Sequence, residues 1–412
     1  MLDKSYYIII DVNSFLYIVA NDTLLQNTQT AKYVEAINNK EIADFFSQSV
    51  CKVKYNHLQR TELIEFIDTA EKLNILTKVD ELIFNNLPLN SKPFRSFNII
   101  RDTSVLNNVT TESHFAYLNK QIFNVTIFLN NNCKKACIYC DKAYKNIISC
   151  TKDTTDNELN LNEFKRFMFL EDKLLSYNFT ITGGNIFLYS QMTELIAFFD
   201  NLCGSVTYIV NYLNFEENFN YNIFNSKKTY FEIIVFSPIE HNQFELTISI
   251  IKKYNLNCSF VFAVTNENEL DIFETIIDNY QLEDYSIKPI YNDNLPFFEK
   301  FTFMNAKEIC STLIPIHLLY RKRFRNINSY FKLIILNNGN IHSNINISSM
   351  GNIREDSYTD ILQKEIDNKG SWYNVRTNLA PCKNCLYALL CPSPDNYEFV
   401  IGRNNLCNAK TI

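Results

Sequence analysis

Apolar residues along this chain change their spacing three times. Residues 6–10 and 15–19 are short runs of β-branched and aromatic side chains around Val12-Asn13, a pattern that predicts a hairpin. Helical spacing follows over 32–37 and 40–47, and again over 60–73, where Leu63, Phe66, Ile67 and Ala70 share one face. Two strands followed by helices within residues 1–90 is the pattern of a small winged-helix-like unit. Residues 91–118, with Pro93 and an Asn-Asn pair just beyond Pro88, predict a linker.

From residue 119 strands alternate with helices. The expected strands are 122–129, 179–183, 206–211, 231–237, 259–265 and 285–291, with helices at 164–177, 191–202 and 267–280. Six strands joined by helical crossovers over 119–300 predict an α/β fold, a parallel sheet or six-stranded (β/α)6 partial barrel. Folds of that kind carry their chemistry on loops leaving the C-terminal strand ends. Beyond residue 300 the alternation stops. Residues 301–412 read as a loop-rich, cysteine-rich extension that needs a staple to stand.

Composition narrows the class. The 412 residues, 46% hydrophobic and 20% charged, exclude a disordered or collagen-like chain and suggest two to three domains. A net charge of −6 argues against a nucleic-acid partner, since a phosphate backbone requires a basic footprint. The chain has 7 Gly and 56 Asn, so asparagine is expected to make many turns and every glycine is worth inspecting. The apolar run 6–10 is broken by Asp11 and is too short for a signal peptide, and no run reaches membrane length. The expectation is a cytoplasmic protein with no membrane partner. Its 12 cysteines then call for a use other than disulfides.

Two cysteine groups supply one. Cys133-Lys-Lys-Ala-Cys137-Ile-Tyr-Cys140 follows the first barrel strand. Three thiolates within eight residues can face one metal centre and leave a position open to another ligand; free thiols and a zinc site completed from elsewhere are the alternatives. Cys382-Lys-Asn-Cys385, Cys391 and Cys407 supply a complete set of four, for one structural metal or one 4Fe–4S cluster. Gly183-Gly184-Asn185 ends the second strand, and paired glycines mark a backbone that a ligand or another strand approaches closely. Cys51, Cys150, Cys203, Cys258 and Cys310 are scattered and read as small core residues, with Cys150 within reach of the first group. Lys142, Lys145 and the run Arg321-Lys-Arg-Phe-Arg325 read as solvated faces.

The CxxxCxxC set after the first strand of a β/α part-barrel resembles the radical S-adenosylmethionine enzymes. The resemblance implies that Cys133, Cys137 and Cys140 hold a 4Fe–4S cluster chelated by S-adenosylmethionine (SAM), and that Tyr139 lies near the adenine. It further implies that Gly183, Gly184 and Asn185 meet the cofactor's amino group, with Asn185 standing where the family has Glu and accepting without charge assistance. Ser237, the stretch 264–270 with Asn266, and Ile287-Lys-Pro289 resemble the family's later strand-end segments. Cys382, Cys385, Cys391 and Cys407, with Asn338-Gly339-Asn340-Ile341-His342 and Met350-Gly351-Asn352-Ile353, resemble a SPASM extension. Such extensions hold two auxiliary clusters. Asn344 and Asp395 stand where the inner cluster has cysteines, which implies that only the outer auxiliary cluster is kept, with zinc as its competitor and Asp395 able to supply one ligand at most.

Residues 1–90 resemble a leader-peptide recognition domain, and 24–30 are similar to Bacteroidales GG-type ribosomal-peptide maturases. The implied activity is reductive SAM cleavage to a 5′-deoxyadenosyl radical and hydrogen abstraction from a ribosomal precursor peptide, giving a crosslink or an epimer. A flavodoxin or ferredoxin would be the electron donor. A non-catalytic peptide-binding scaffold and an activating enzyme acting on a folded protein are the rival readings. No single residue stands out as catalytic acid, base or hydrogen donor.

Overall fold

The computed structural model describes residues 4–48, 50–55, 61–86, 124–135, 137–151, 158–170, 173–174, 178–202 and 204–409. The linker expected over 91–118, and Cys203, lie outside the described residues.

The N-terminal unit holds two three-stranded antiparallel sheets. β1 (Lys4–Ile10) lies between β5 (Cys51–Tyr55) and β6 (Leu76–Asp80), and β3 (Asp22–Asn27) lies between β2 (Ser14–Val19) and β4 (Tyr33–Ala36). The expected hairpin is therefore wrong. Asp11 does turn the chain, accepting from Asn13 N and Ser14 N, both at 2.9 Å. Both edges of β1 are already taken, however, so β2 pairs with β3 across Ala20-Asn21. The helix expected at 32–37 is also wrong. Val34 and Ala36 are buried while Glu35 is exposed, the period-2 alternation of a strand, which six residues cannot announce by spacing alone. Helices Lys40–Ser47 and Glu62–Lys72 stand where the spacing puts them, with Leu63, Phe66, Ile67 and Ala70 buried.

All six expected β/α strands are present: β7 (Asn124–Phe128), β10 (Asn178–Thr182), β11 (Ser205–Asn211), β12 (Thr229–Phe236), β13 (Cys258–Val264) and β14 (Tyr285–Pro289). They pair in parallel and in chain order, so each crossover returns beside its own strand. Both faces are covered. Tyr208, Val210, Ile233, Val235, Phe260 and Phe262 pack on helices Met192–Leu202, His241–Tyr254 and Glu267–Tyr280. Ile209, Ile234, Phe236, Val261 and Ala263 meet Ala143 on helix Cys140–Ile147. The helix expected over 164–177 is shorter, Leu161–Met168, and short strands β8 (Phe169–Leu170) and β9 (Lys173–Leu174) follow it.

Beyond residue 300 there is more order than a loop-rich reading allows. β15 (Lys332–Ile335) joins β7 in parallel, and β16 (Asn340–His342) and β17 (Gly351–Asn352) extend the sheet to nine strands. Gly339, at φ +86°, makes the turn between β15 and β16. The segment 385–390 is almost wholly buried, and Phe15, Tyr17 and Leu24 of the N-terminal unit pack against it.

Candidate functional site

Where β7 ends, the chain does not swing free. Leu129 N donates to Thr182 O at 2.8 Å, Gly184 N to Asn130 O at 2.7 Å, and Asn185 N to Asn132 O at 2.6 Å. The cysteine loop is thus zipped onto the end of β10. A Cβ on Gly183 would stand 2.7 Å from Asn130 O, and one on Gly184 would stand 2.5 Å from Asn132 O. The glycine pair permits that approach, and Gly183 adopts φ +145°. The close neighbour is the loop that presents Cys133.

Cys140 opens helix Cys140–Ile147, whose N-terminal end favours negative charge on the sulfur. Cys137 Sγ accepts from Asn211 Nδ2 at 3.4 Å, and Cys133 Sγ lies 3.8 Å from Asn214 Oδ1. Burial, followed by the neighbouring Cys140 and Cys133, pushes the Cys137 thiol up to about 12. Cys150 is buried behind the loop and close enough to feel all three thiols, although burial is the main cause of its raised pKa. Among the described residues no three His, Cys, Asp or Glu stand at ligating distance from one point. The surroundings nevertheless suit a ligand. Asn130 Oδ1, Thr182 Oγ1 and Asn214 Nδ2 are buried on this loop and the neighbouring strand ends without a partner among the described residues, a costly state unless something else fills it. Three thiols with unmet polar atoms around them can hold an iron–sulfur cluster.

The other residues singled out by sequence are spread around the same strand ends. Tyr139 OH is 3.1 Å from both Thr265 Oγ1 and Glu269 Oε1, and its ring lies 6.4 Å from that of Phe236. Asn185 Oδ1 accepts from Phe187 N at 3.1 Å, so its side chain caps a short helical turn. Asn266 likewise caps Glu267–Tyr280 through Glu269 N at 3.0 Å, and Ser237 follows the last residue of β12. Sequence reading placed Glu269 only within the stretch 264–270 and missed its role in holding Thr265 N at 2.7 Å and Thr265 Oγ1 at 2.9 Å. It also missed Asn211 and Asn214. The signal was present as two amides at the end of the third parallel strand, hidden by how much asparagine the chain uses in turns.

The C-terminal cysteines are gathered differently. Cys382, Cys385, Cys391 and Cys407 line one cavity of about 330 Å³ together with Arg376 and Glu398. Burial raises the thiols of Cys382 and Cys385 and pushes Cys391 up to about 12. A single zinc needs four sulfurs about 2.3 Å from one point. Four thiols are the usual complement for either a structural zinc or one 4Fe–4S cluster. Arg376 pairs with Glu398 in the cavity wall, both buried, and its guanidinium also donates to Asn404 O at 2.6 Å. The solvated-face reading of 321–325 holds for the exposed Arg321 and fails at Lys322 and Arg325. Lys322 Nζ donates to Leu390 O at 3.1 Å and Cys391 O at 2.9 Å, and burial brings its ammonium down to about 8. Arg325 stacks over Tyr330 and Tyr373.

Asn344 and Asp395 are both spoken for. Asn344 Nδ2 donates to Asn396 Oδ1 at 2.7 Å, and Asp395 caps helix Asn396–Ile401. They line a polar cavity of about 600 Å³ over the sheet, with Thr126, Thr180, Glu232 and Lys288 on its strands.

No protein-family model matches this chain, and no curated protein matches it. Among solved structures it is similar to SuiB from Streptococcus suis, at 14% identity over 97% of each chain with a TM-score of 0.47. SuiB bound to its precursor peptide SuiA matches at 12% identity, covering 97% of this chain and 98% of that one, TM-score 0.45. Native anSMEcpe with bound AdoMet and Kp18Cys peptide matches at 11% identity over 65% of this chain and 88% of that chain, TM-score 0.46. Among the described residues no helix is long and apolar enough to cross a membrane.

Proposed function

We propose that this chain is a radical SAM enzyme that modifies a ribosomally made precursor peptide. It would comprise a leader-binding unit (1–90), a linker (91–118), a part-barrel (119–300) and a reduced SPASM extension (301–412). The observation that carries the reading is the three-thiol loop at the end of the first parallel strand, with buried polar atoms beside it that lack partners among the described residues. Cys133, Cys137 and Cys140 would hold the catalytic cluster, which when bound supplies the electron for SAM cleavage. Gly183 and Gly184 let the loop approach β10, and Tyr139, Ser237, Asn185 and Asn266 line the strand ends where SAM would lie. Cys382, Cys385, Cys391 and Cys407 would hold one auxiliary 4Fe–4S cluster. A small flavin or iron–sulfur protein would deliver the electrons.

The peptide's entry is the outer edge of β4, which pairs with no strand among the described residues. Asn27 N donates to Lys32 O, so pairing alternates and the backbone groups of Tyr33, Glu35 and Ile37 face outward. A groove of about 360 Å³ runs between this edge and helix Glu62–Lys72, and Glu35, Glu62 and Glu65 line it. An extended segment carrying Lys or Arg fits both features. The double reversal Glu62→Lys/Glu65→Lys should weaken binding of such a peptide about tenfold at low salt and less at high salt, as read by fluorescence anisotropy.

The decisive assay is anaerobic iron–sulfide reconstitution followed by SAM and dithionite. About eight irons per chain and formation of 5′-deoxyadenosine that Cys137→Ala abolishes would support the proposal. About four irons or fewer and no SAM cleavage would leave the chain a peptide-binding scaffold, a reading favoured by the capping use of the Asn185 side chain.

A further inference from the structure

Two carboxamides meet two of the three thiols from one strand end. Asn211 is the last residue of β11 and is fully buried. Its Oδ1 accepts the Leu213 N–H at 2.9 Å, capping the turn Tyr212–Asn214. The amide cannot flip without losing that cap, so its NH2 group is committed to Cys137 Sγ at 3.4 Å.

Asn214, three residues on, is set against Cys133. There the thiol donates to Oδ1 at 3.8 Å, while Nδ2 is buried with no partner among the described residues. This arrangement suits a protonated sulfur. A metal-bound sulfur has no proton to give and can only accept. Half a turn of the Asn214 amide then brings Nδ2 to Cys133 Sγ and gives the orphaned donor an acceptor.

We propose that Asn211 and Asn214 are positioning residues, paired N–H···S donors that hold Cys137 and Cys133 for metal binding and raise the reduction potential of the bound cluster. The inference rests on the cluster reading above. N–H bonds to cluster sulfurs delocalise thiolate charge and favour the reduced form, and losing an outer partner of a metal ligand typically costs about 10- to 100-fold in metal affinity.

The test uses Asn211→Asp, which keeps an oxygen to cap Leu213 but turns a carboxylate toward Cys137, and Asn214→Leu, which keeps the volume and removes the donor. Each full-length protein is reconstituted, and redox titration follows the EPR signal that Cys137→Ala removes. Both variants should show a lower midpoint potential for that signal and about tenfold faster iron loss to a chelator, with the C-terminal cluster's signal unmoved. Unchanged potential and unchanged iron retention in both would overturn the inference. If the wild-type chain gives no Cys137-dependent signal, the cluster reading itself fails. Cobalt(II) then decides: a Cys137-dependent thiolate band that binds about tenfold more weakly in Asn214→Leu supports the positioning role, and equal affinity sinks it.

Discussion

The two cysteine groups solve the same problem in opposite ways. At 133–140 the sulfurs ride on a loop held by backbone hydrogen bonds to a glycine pair, and all three cysteines stay partly exposed. At 382–407 the sulfurs line a closed-in cavity, and Arg376 and Lys322 lie against it. Three donors on an accessible loop leave a coordination position for something that comes and goes. Four donors, with Cys382 and Cys385 buried, would leave none, which is the usual division between reactive and structural metal sites. The difference lies both in spacing, three cysteines within eight residues against four spread over 382–407, and in what surrounds the sulfur.

The largest effect should separate the sites outright. Cys137→Ala should abolish 5′-deoxyadenosine and lose about four irons, while Cys391→Ala should lose about four irons and retain SAM cleavage; iron and product assays on both variants check this. Next in size, Arg376→Met removes one partner of the buried Arg376–Glu398 pair. It should lower stability by about 3–5 kcal/mol in denaturant unfolding, with the C-terminal domain lost first.

A pH effect of about 3 kcal/mol should come from Glu365, whose carboxyl burial pushes up to about 7. With the folded-state value raised from 4.5, the unfolded chain ionises first, so stability falls as pH rises from about 4.5 to about 7. Glu365→Gln should flatten that slope in thermal melts followed across pH, since an amide oxygen can still accept from Trp372 N at 2.8 Å. The smallest change is Gly184→Ala, whose Cβ would press on Asn132 O. It should cost about 1–3 kcal/mol and weaken metal uptake at the first group alone, as measured by iron content.

How much of this was legible depended on how local the determinant was. The six parallel strands were readable because each is a run of β-branched and aromatic residues between helical stretches. That Cys133, Cys137 and Cys140 follow the first parallel strand was readable because their order along the chain is the motif. β15 was not, because its four residues gain a place only by pairing with Asn124–Phe128 some 200 positions earlier. The roles of Glu269 and Asn211 were equally hidden, since the partners that make them notable, Tyr139 and Cys137, come from another strand end. The turn at Asp11 misled because turning does not imply pairing. The glycine pair was correctly marked as a place of close approach, but sequence alone could not say that the approaching group is Asn130 to Asn132.

One contact joins the distant ends of the chain. Tyr387, between Cys385 and Cys391, donates its hydroxyl to Glu35 Oε2 at 2.7 Å, and its own N–H donates to Cys385 Sγ at 3.4 Å. Glu35 belongs to β4, and Phe15, Tyr17 and Leu24 rest on the same segment 385–390. Residues 385–391 are thus a shared keystone. Whatever stiffens them stiffens the outer strand of the N-terminal sheet, and by reciprocity a guest laid along that strand returns the same free energy to the sulfur-bearing loop.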